Sequence, residues 1–159
     1  MRRIKNILNH PKYVEYMDLN GAAELDRLYC HHDMQHMLDV ARVAYIMALE
    51  QKLDIPKDVI YATALLHDIG RWKQYKDKSD HAAVGAVLAE EILTSCGFDE
   101  HEVHLMQDAI RNHRKGKDLH SDLSRIIYKS DKMSRLCIQC IAKDDCKRFD
   151  DGKLPELLY

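Results

Sequence analysis

Apolar residues recur along this chain three or four positions apart, and no segment shows the apolar–polar alternation of a β-strand. The clearest stripe lies in a helix predicted from about Asp33 to Lys52, where Met34, Met37, Leu38, Ala41, Tyr45 and Ala48 share one face. Only six glycines and three prolines interrupt the pattern. It predicts an all-α fold, a single domain over residues 1–159 with about six to seven helices.

Local signals place the other helices. We predict them at about Pro11 to Leu28, Pro56 to Leu66, His81 to Gly97, Asp99 to His113 and Ser121 to Asp131. Asp99 and Glu102 resemble a capping box, and Ser121 is typical of an N-cap. Residues 71–80 are predicted to be a loop, with Ser79 capping the helix that opens at His81.

Composition narrows the class of protein. Apolar residues are 46% and charged residues 31% of the chain, with a formal net charge of -2, which is typical of a globular domain. We find no basic stripe for nucleic acid, no apolar run of membrane-span length and no signal peptide. The five cysteines are an odd number, so we expect reduced thiols and a cytoplasmic protein that binds neither nucleic acid nor membranes.

The helix predicted after Pro56 is apolar almost all round, which indicates burial, and it ends on the doublet His67-Asp68. Gly70 follows as a helix stop. A carboxylate at the end of a buried helix is costly unless something satisfies it, and a metal ion would do so. For the doublet alone, a capped helix end with a solvated Asp68 is an equal alternative.

Four more polar residues lie on the inward faces of predicted helices: His36, His81, His113 and Asp131. A single buried histidine is more often a satisfied core residue than a ligand, and a single aspartate is often a surface residue. His101 and His104, by contrast, share a face with charged residues and are expected to be solvated. Because five successive helices each carry such a group, mutual neutralisation by metal explains them together.

The donor set indicates the kind of metal. Four imidazoles and two carboxylates suit divalent first-row ions and suffice for one or two ions per chain, without distinguishing Fe, Mn, Ni, Co, Zn or Mg. The absence of a thiolate from the set argues against a structural zinc site.

The motifs resemble the HD-domain metal-dependent phosphohydrolase superfamily over about Met34 to Arg135, within a domain core predicted at about residues 30–136. They occur in family order: HMLDVARVA, LLHDIGR, HAAVGAVLAEEIL, AIRNH and RIIYKSDK. The compact size and the H-x3-GA and IIY-x2-DK segments look most like the small bacterial branch that splits diadenosine tetraphosphate symmetrically.

The resemblance implies roles for the polar residues. The first metal would be held by His36, His67, Asp68 and Asp131. The two further histidines, His81 and His113, match subfamilies with a dinuclear centre in which Asp68 bridges both ions. The implied activity is hydrolysis of a phosphate ester or anhydride of a small substrate, a nucleotide, by metal-activated water.

Basic residues and one further histidine flank these motifs. Arg71 is placed to bind phosphate as a catalytic residue, or it is a surface cation at a helix end. Lys132 and Arg135 either add positive charge near Asp131 or belong to a solvated face. His32 could act as an outer ligand or support the ligands, and His36 is preferred as ligand because it lies on the apolar stripe.

Two rival functions share these residues. HD folds with the same six ligands include mixed-valent di-iron oxygenases, which an iron-only requirement and oxygen consumption would reveal. A nucleotide-sensing or partner-binding module would keep the metal as a staple of the fold and bind nucleotide without turnover. The oligomeric state is not indicated by the sequence.

The C-terminal segment 137–159 carries a separate signal, Cys137-x2-Cys140-x5-Cys146. The spacing resembles half of a thiolate metal site, which Cys30 or a histidine would have to complete. Buried cysteines on a terminal helix are the favoured alternative.

Overall fold

The computed structural model describes residues 1–117, 119–149, 152–157 and 159. Within those ranges every regular element is helical: α1 Arg2–Leu8, α2 Pro11–Ala23, α3 Met34–Glu50, α4 Lys57–Leu66, α5 Arg71–Asp77, α6 His81–Ser95, α7 Glu100–Asn112 and α8 Asp122–Met133. Two 3-10 turns follow, at Cys137–Gln139 and Lys147–Phe149. The all-α prediction is confirmed.

Side-chain caps stabilise several helix starts, and two of these caps were predicted. The Asp33 carboxylate accepts from the backbone N–H of His36 at 2.9 Å at the start of α3. Asp99 and Glu102 form the predicted capping box of α7, and Ser121 caps α8. The basic loop before α8 and the C-terminal segment contain Asp118, Asp150, Asp151 and Leu158, which lie outside the described residues.

The predicted loop before His81 is wrong, because Arg71–Asp77 forms the helix α5. It has no fully buried residue and therefore no apolar stripe that a pattern could reveal. Its start is held from outside: the Asn20 side-chain oxygen accepts from the Trp72 N–H at 2.8 Å, and Trp72 stacks on Tyr16 with ring centroids 6.3 Å apart.

Three smaller predictions also need correction. The cap of α6 is Asp80, whose carboxylate accepts from the Ala82 N–H at 3.0 Å, whereas Ser79 pairs with Asp77. The helix α2 ends at Ala23 instead of Leu28. The helix α1 was not predicted, and its two buried residues, Ile4 and Ile7, are too few to make a periodic stripe.

The helix α4 lies in the middle of the molecule. It packs against α1, α3, α6, α7 and α8, and its residues from Val59 to Leu66 are almost all buried. This agrees with the all-round apolar sequence after Pro56. The C-terminal end of α4 therefore delivers the doublet His67-Asp68 to the interior.

The helix α1 is joined to the bundle by Arg3. Its guanidinium pairs with Asp58 at 2.8 Å and with Glu102 at 2.5 Å, and it lies 4.0 Å from the ring centroid of Phe98. These contacts connect the starts of α4 and α7. Among the described residues no helix is long and apolar enough to span a membrane.

Candidate metal centre

His67 and Asp68 follow α4 directly, and both are completely shielded from solvent. The Nδ1 atom of His67 lies 2.6 Å from the carbonyl oxygen of Ala64. Since a carbonyl can only accept, Nδ1 carries a proton, and the Nε2 lone pair is the one that faces the interior to bind a cation. The end of α4 thus presents one imidazole lone pair and one carboxylate side by side.

A first group forms around the doublet from three helices. Nε2 of His67 lies 3.1 Å from Oδ2 of Asp68, and Nε2 of His36 on α3 lies 3.9 Å from the same oxygen. Asp131 on α8 completes the group, with Oδ1 3.4 Å from Nε2 of His36. These four ligand atoms all lie within 4.8 Å of one another, so they could hold one metal ion.

A second group uses the other oxygen of Asp68. Oδ1 lies 3.0 Å from Nε2 of His81 at the start of α6 and 3.4 Å from Nε2 of His113 at the end of α7. These three residues also could hold a metal ion. The structure therefore brings all six predicted residues together, in two groups that share Asp68.

The donor atoms test whether a cation fits. Nε2 of His36, Nε2 of His67 and both oxygens of Asp68 are buried, and none has a hydrogen-bond partner. Buried polar atoms without partners cost free energy, and a divalent ion would satisfy all of them. Imidazole nitrogens and carboxylate oxygens are suitable ligands for such an ion. The residues fit the metal that the sequence implies.

The electrostatics also favour a cation here. Burial lowers the pKa of His67, yet the carboxylates of Asp68 and Asp131 outweigh it and raise that pKa to about 10. Burial raises the pKa of Asp68, but the charges of His67 and Arg71 hold it well below its usual range. The carboxylates thus attract positive charge to Nε2 of His67, either as a second proton or as a metal ion that takes its place.

The second pair of imidazoles is oriented by neighbouring acceptors. Nδ1 of His113 lies 2.6 Å from the carbonyl oxygen of Ile110, and Nδ1 of His81 lies 2.6 Å from Oε1 of Gln74. Burial lowers the pKa of His81 to about 4, so this imidazole is neutral at neutral pH. Both Nε2 atoms are therefore lone-pair donors towards Asp68.

Three predicted cations lie beside the carboxylates. Nη2 of Arg135 pairs with Oδ1 of Asp131 at 2.8 Å, and Nζ of Lys132 pairs with Oδ2 of the same carboxylate. Nε of Arg71 lies 3.5 Å from Oδ1 of Asp68. Burial raises the pKa of Asp131, but the neighbouring imidazoles of His36 and His67 and the charge of Arg135 hold it well below its usual range.

His32 lies at the edge of the first group. Its Nε2 is 3.8 Å from Oδ2 of Asp68 and 2.6 Å from Nη2 of Arg71. Its Nδ1 contacts the buried carboxylate of Glu24 at 2.5 Å. His32 belongs to neither donor group that could hold a metal. Its two ring nitrogens contact Arg71 and Glu24.

Sequence reasoning missed Glu24, Asn20 and Gln74. Asn20 and Glu24 continue the stripe of Tyr13 and Tyr16 at four-residue spacing, and that periodicity was the signal available. The amide nitrogen of Asn20 donates to the Asp68 carbonyl oxygen at 3.0 Å. Gln74 had no such signal, because it lies on the polar helix α5.

A cleft of about 450 Å³ opens at the first group, and His36 and Arg135 are among its lining residues. Tyr29 and Leu136 give it exposed apolar surface. An adjoining cavity of about 560 Å³ shares Arg135 with it and is also lined by Lys132. Ligands from solvent therefore reach the centre from the side of α3 and α8.

The cysteines form no second metal centre among the residues that the structure describes. The donor groups that could hold a metal contain no thiol there. All five cysteines are free, and Cys137, Cys140 and Cys146 are half-buried around the two 3-10 turns. The favoured alternative of buried cysteines on a terminal helix is also wrong, since the segment is not α-helical.

Comparison with known proteins shows which family the sequence and the fold resemble. The model of the HD domain family matches residues 33–136. An uncharacterized protein from Clostridium beijerinckii is 37% identical over the full length of both chains. A crystal structure of a predicted HD superfamily hydrolase from an uncultured Thermotogales bacterium superimposes with a TM-score of 0.60 and 29% identity, covering 90% of this chain and 78% of that one.

Ribonuclease Y proteins are also similar over part of the chain. The protein from Salinispora arenicola is 34% identical over 62% of this chain, and that from Mycoplasma capricolum is 25% identical over 76%. This chain spans only 15% and 22% of the length of those two proteins.

Proposed function

The chain belongs to the HD domain family, and on that basis we propose that it is a metal-dependent phosphohydrolase acting on a phosphate ester or anhydride. We further propose that the substrate is a nucleotide or dinucleotide polyphosphate. The observation that carries the proposal is the sharing of Asp68 between two buried donor groups. Two metal ions held close together are typical of enzymes that hydrolyse phosphate esters and anhydrides.

When bound, divalent ions would supply Lewis-acid stabilisation of the phosphoryl oxygens and a water of lowered pKa. The protein supplies a rigid frame for them. His67, His81 and His113 each have Nδ1 fixed by an acceptor, so their Nε2 atoms are directed inward without reorganisation. Asp68 offers one oxygen to each donor group.

The cations divide into two roles. Arg135 and Lys132 pair with the carboxylate of Asp131, so they keep that ligand ionised and in place. Arg71 is the residue proposed to bind the phosphate, since its Nε is buried beside Asp68 and has no hydrogen-bond partner. A guanidinium can donate two parallel hydrogen bonds to a phosphate.

The cleft supports a substrate larger than phosphate. Its volume of about 450 Å³ lies within the range of small-ligand sites, roughly 300–1,000 Å³. The ring of Tyr29 and the side chain of Leu136 offer apolar surface for a base, while His36 and Arg135 line the end of the cleft next to the first donor group.

RNA is the second candidate substrate. The similarity to ribonuclease Y over 98 residues favours it, since those proteins carry the name of an enzyme that cleaves RNA phosphodiesters. A formal net charge of -2 offers no general attraction to RNA, so we place the small nucleotide first.

The test combines metal content with a substrate panel. Protein purified without chelator or oxygen is analysed by elemental mass spectrometry, then assayed anaerobically and in air with diadenosine tetraphosphate, mononucleotides and an RNA oligonucleotide. We expect close to two ions per chain and anaerobic hydrolysis of a nucleotide. Turnover that requires oxygen would favour the oxygenase, and tight nucleotide binding without turnover would favour the binding module.

A further inference from the structure

The guanidinium of Arg71 is held from two sides. Its Nη2 lies 2.6 Å from Nε2 of His32, and its Nη1 donates to Oε1 of Gln74 at 3.3 Å. Each of these nitrogens carries two hydrogens, so one hydrogen remains on each after both contacts are made. The group is fixed in orientation but keeps donors for an incoming anion.

His32 is itself fixed by a buried carboxylate. Glu24 is only 3% exposed and accepts three hydrogen bonds: from the His32 backbone N–H at 2.7 Å, from Nδ1 of His32 at 2.5 Å and from the Tyr75 hydroxyl at 2.5 Å. Because the carboxylate only accepts, Nδ1 of His32 carries the proton. Nε2 is then an acceptor, which is what Arg71 requires.

The hydrogen bonds therefore run in one direction. Arg71 donates to His32, and His32 donates to Glu24. The three residues come from α5, from the loop before α3 and from the residue after α2, and the last two side chains are buried. Burying these hydrogen-bonded side chains has a desolvation cost that apolar side chains in the same place would not have.

We propose that Glu24 and His32 are positioning residues that hold the Arg71 guanidinium for the phosphoryl group of the substrate. The inference rests on the proposed function and assigns a task to two residues outside the donor groups. The buried Nε of Arg71, which has no hydrogen-bond partner and lies 3.5 Å from Oδ1 of Asp68, supports it. A side chain held only for structure would have its buried donors satisfied.

The test is a double-mutant cycle with inorganic phosphate as the probe. Phosphate is titrated calorimetrically into Mn²⁺-loaded wild type, Arg71→Ala, His32→Ala and the double variant. We expect each single change to weaken phosphate binding about tenfold, and the double variant to bind no more weakly than Arg71→Ala. Additive losses, or wild-type phosphate affinity in His32→Ala, would overturn the inference.

Two further variants separate positioning from folding. His32→Gln offers an amide oxygen that can accept from Arg71, so it should recover most of the phosphate affinity. The exposed His104 serves as the matched control, and His104→Ala should bind phosphate as the wild type does. Metal content should be equal in all variants, and a loss of metal in His32→Ala would show that His32 acts on the ligands instead of Arg71.

The outcomes distinguish this inference from the proposed function. A wild type that binds phosphate with the coupled losses but hydrolyses nothing in the substrate panel overturns the function alone. Hydrolysis with additive losses overturns the positioning role alone. A wild type that binds no phosphate at millimolar concentration overturns the positioning role directly.

Discussion

The Nε2 atoms of His81 and His113 lie 3.3 Å apart, and both face Oδ1 of Asp68, at 3.0 and 3.4 Å. The two Nδ1 atoms donate to Gln74 and Ile110, so two nitrogen lone pairs and a carboxylate oxygen converge on one point. Such an arrangement is unfavourable unless a cation occupies that point.

The first prediction concerns this second group alone. His113→Ala removes one of its three donors and leaves the first group intact, so the metal content should fall from about two ions per chain to about one. Elemental mass spectrometry of Mn²⁺-reconstituted protein measures it, with His104→Ala as a control that keeps both ions. Retention of two ions in His113→Ala would contradict the assignment.

The second prediction concerns Asp68. Because its two oxygens serve different groups, Asp68→Ala should lose both ions and abolish turnover, while far-ultraviolet circular dichroism stays helical. Asp54→Ala, which changes an exposed aspartate, should keep both ions. Normal metal content or turnover in Asp68→Ala would rule out the mechanism.

The third prediction uses two glycines that meet at the centre. A Cβ on Gly70 would lie 2.5 Å from the His81 carbonyl oxygen and 2.7 Å from the Gly85 nitrogen, so Gly70→Ala should push α6 away and cost about 1–3 kcal/mol of unfolding free energy. It should also weaken the second metal, because His81 lies on α6.

Gly85→Ala is the matched control. Its Cβ would make only ordinary contacts, 3.5 Å from the His67 carbonyl oxygen, and alanine favours a helix interior. The unfolding free energy should therefore change by less than about 1 kcal/mol. Urea denaturation of both variants provides the comparison, and equal losses would contradict the close approach at Gly70.

The fourth prediction concerns pH. Burial raises the pKa of Glu24, but the hydrogen bonds from His32 and Tyr75 outweigh it and lower that pKa to about 2, from an ordinary value of 4.5. The folded state thus binds the proton less tightly than the unfolded state. The stabilisation is present above about pH 4.5 and is lost as the pH falls towards 2, by about 3 kcal/mol in total.

Glu24→Gln isolates this contribution. Over the same interval the unfolding free energy of the wild type should fall more steeply than that of Glu24→Gln, since both share the titration of Asp68 and Asp131. Urea unfolding at stepped pH measures the two curves. Glu15→Gln, at an exposed position, should follow the wild type. Parallel curves for wild type and Glu24→Gln would contradict the lowered pKa.

The sequence was sufficient for the donors on amphipathic helices. His36 and Asp131 lie on clear apolar stripes, so helical periodicity alone predicted that both side chains face the interior. Whether the six residues act as ligands stays a prediction. Gln74 and the helix α5 could not be predicted, because α5 has no apolar stripe: it is positioned by one apolar side chain, Trp72, and by the hydrogen bond from the Trp72 N–H to Asn20.

The two-sided use of Asp68 also limits how relatives of this protein can diverge. If each group binds an ion, as proposed, a descendant that needs only one ion cannot reach that state by replacing the shared aspartate, since both groups would be lost in one step. It can do so gradually by replacing His81 or His113, each of which serves one group. Evolutionary change in metal number should therefore appear at the histidines, while the aspartate after α4 is retained.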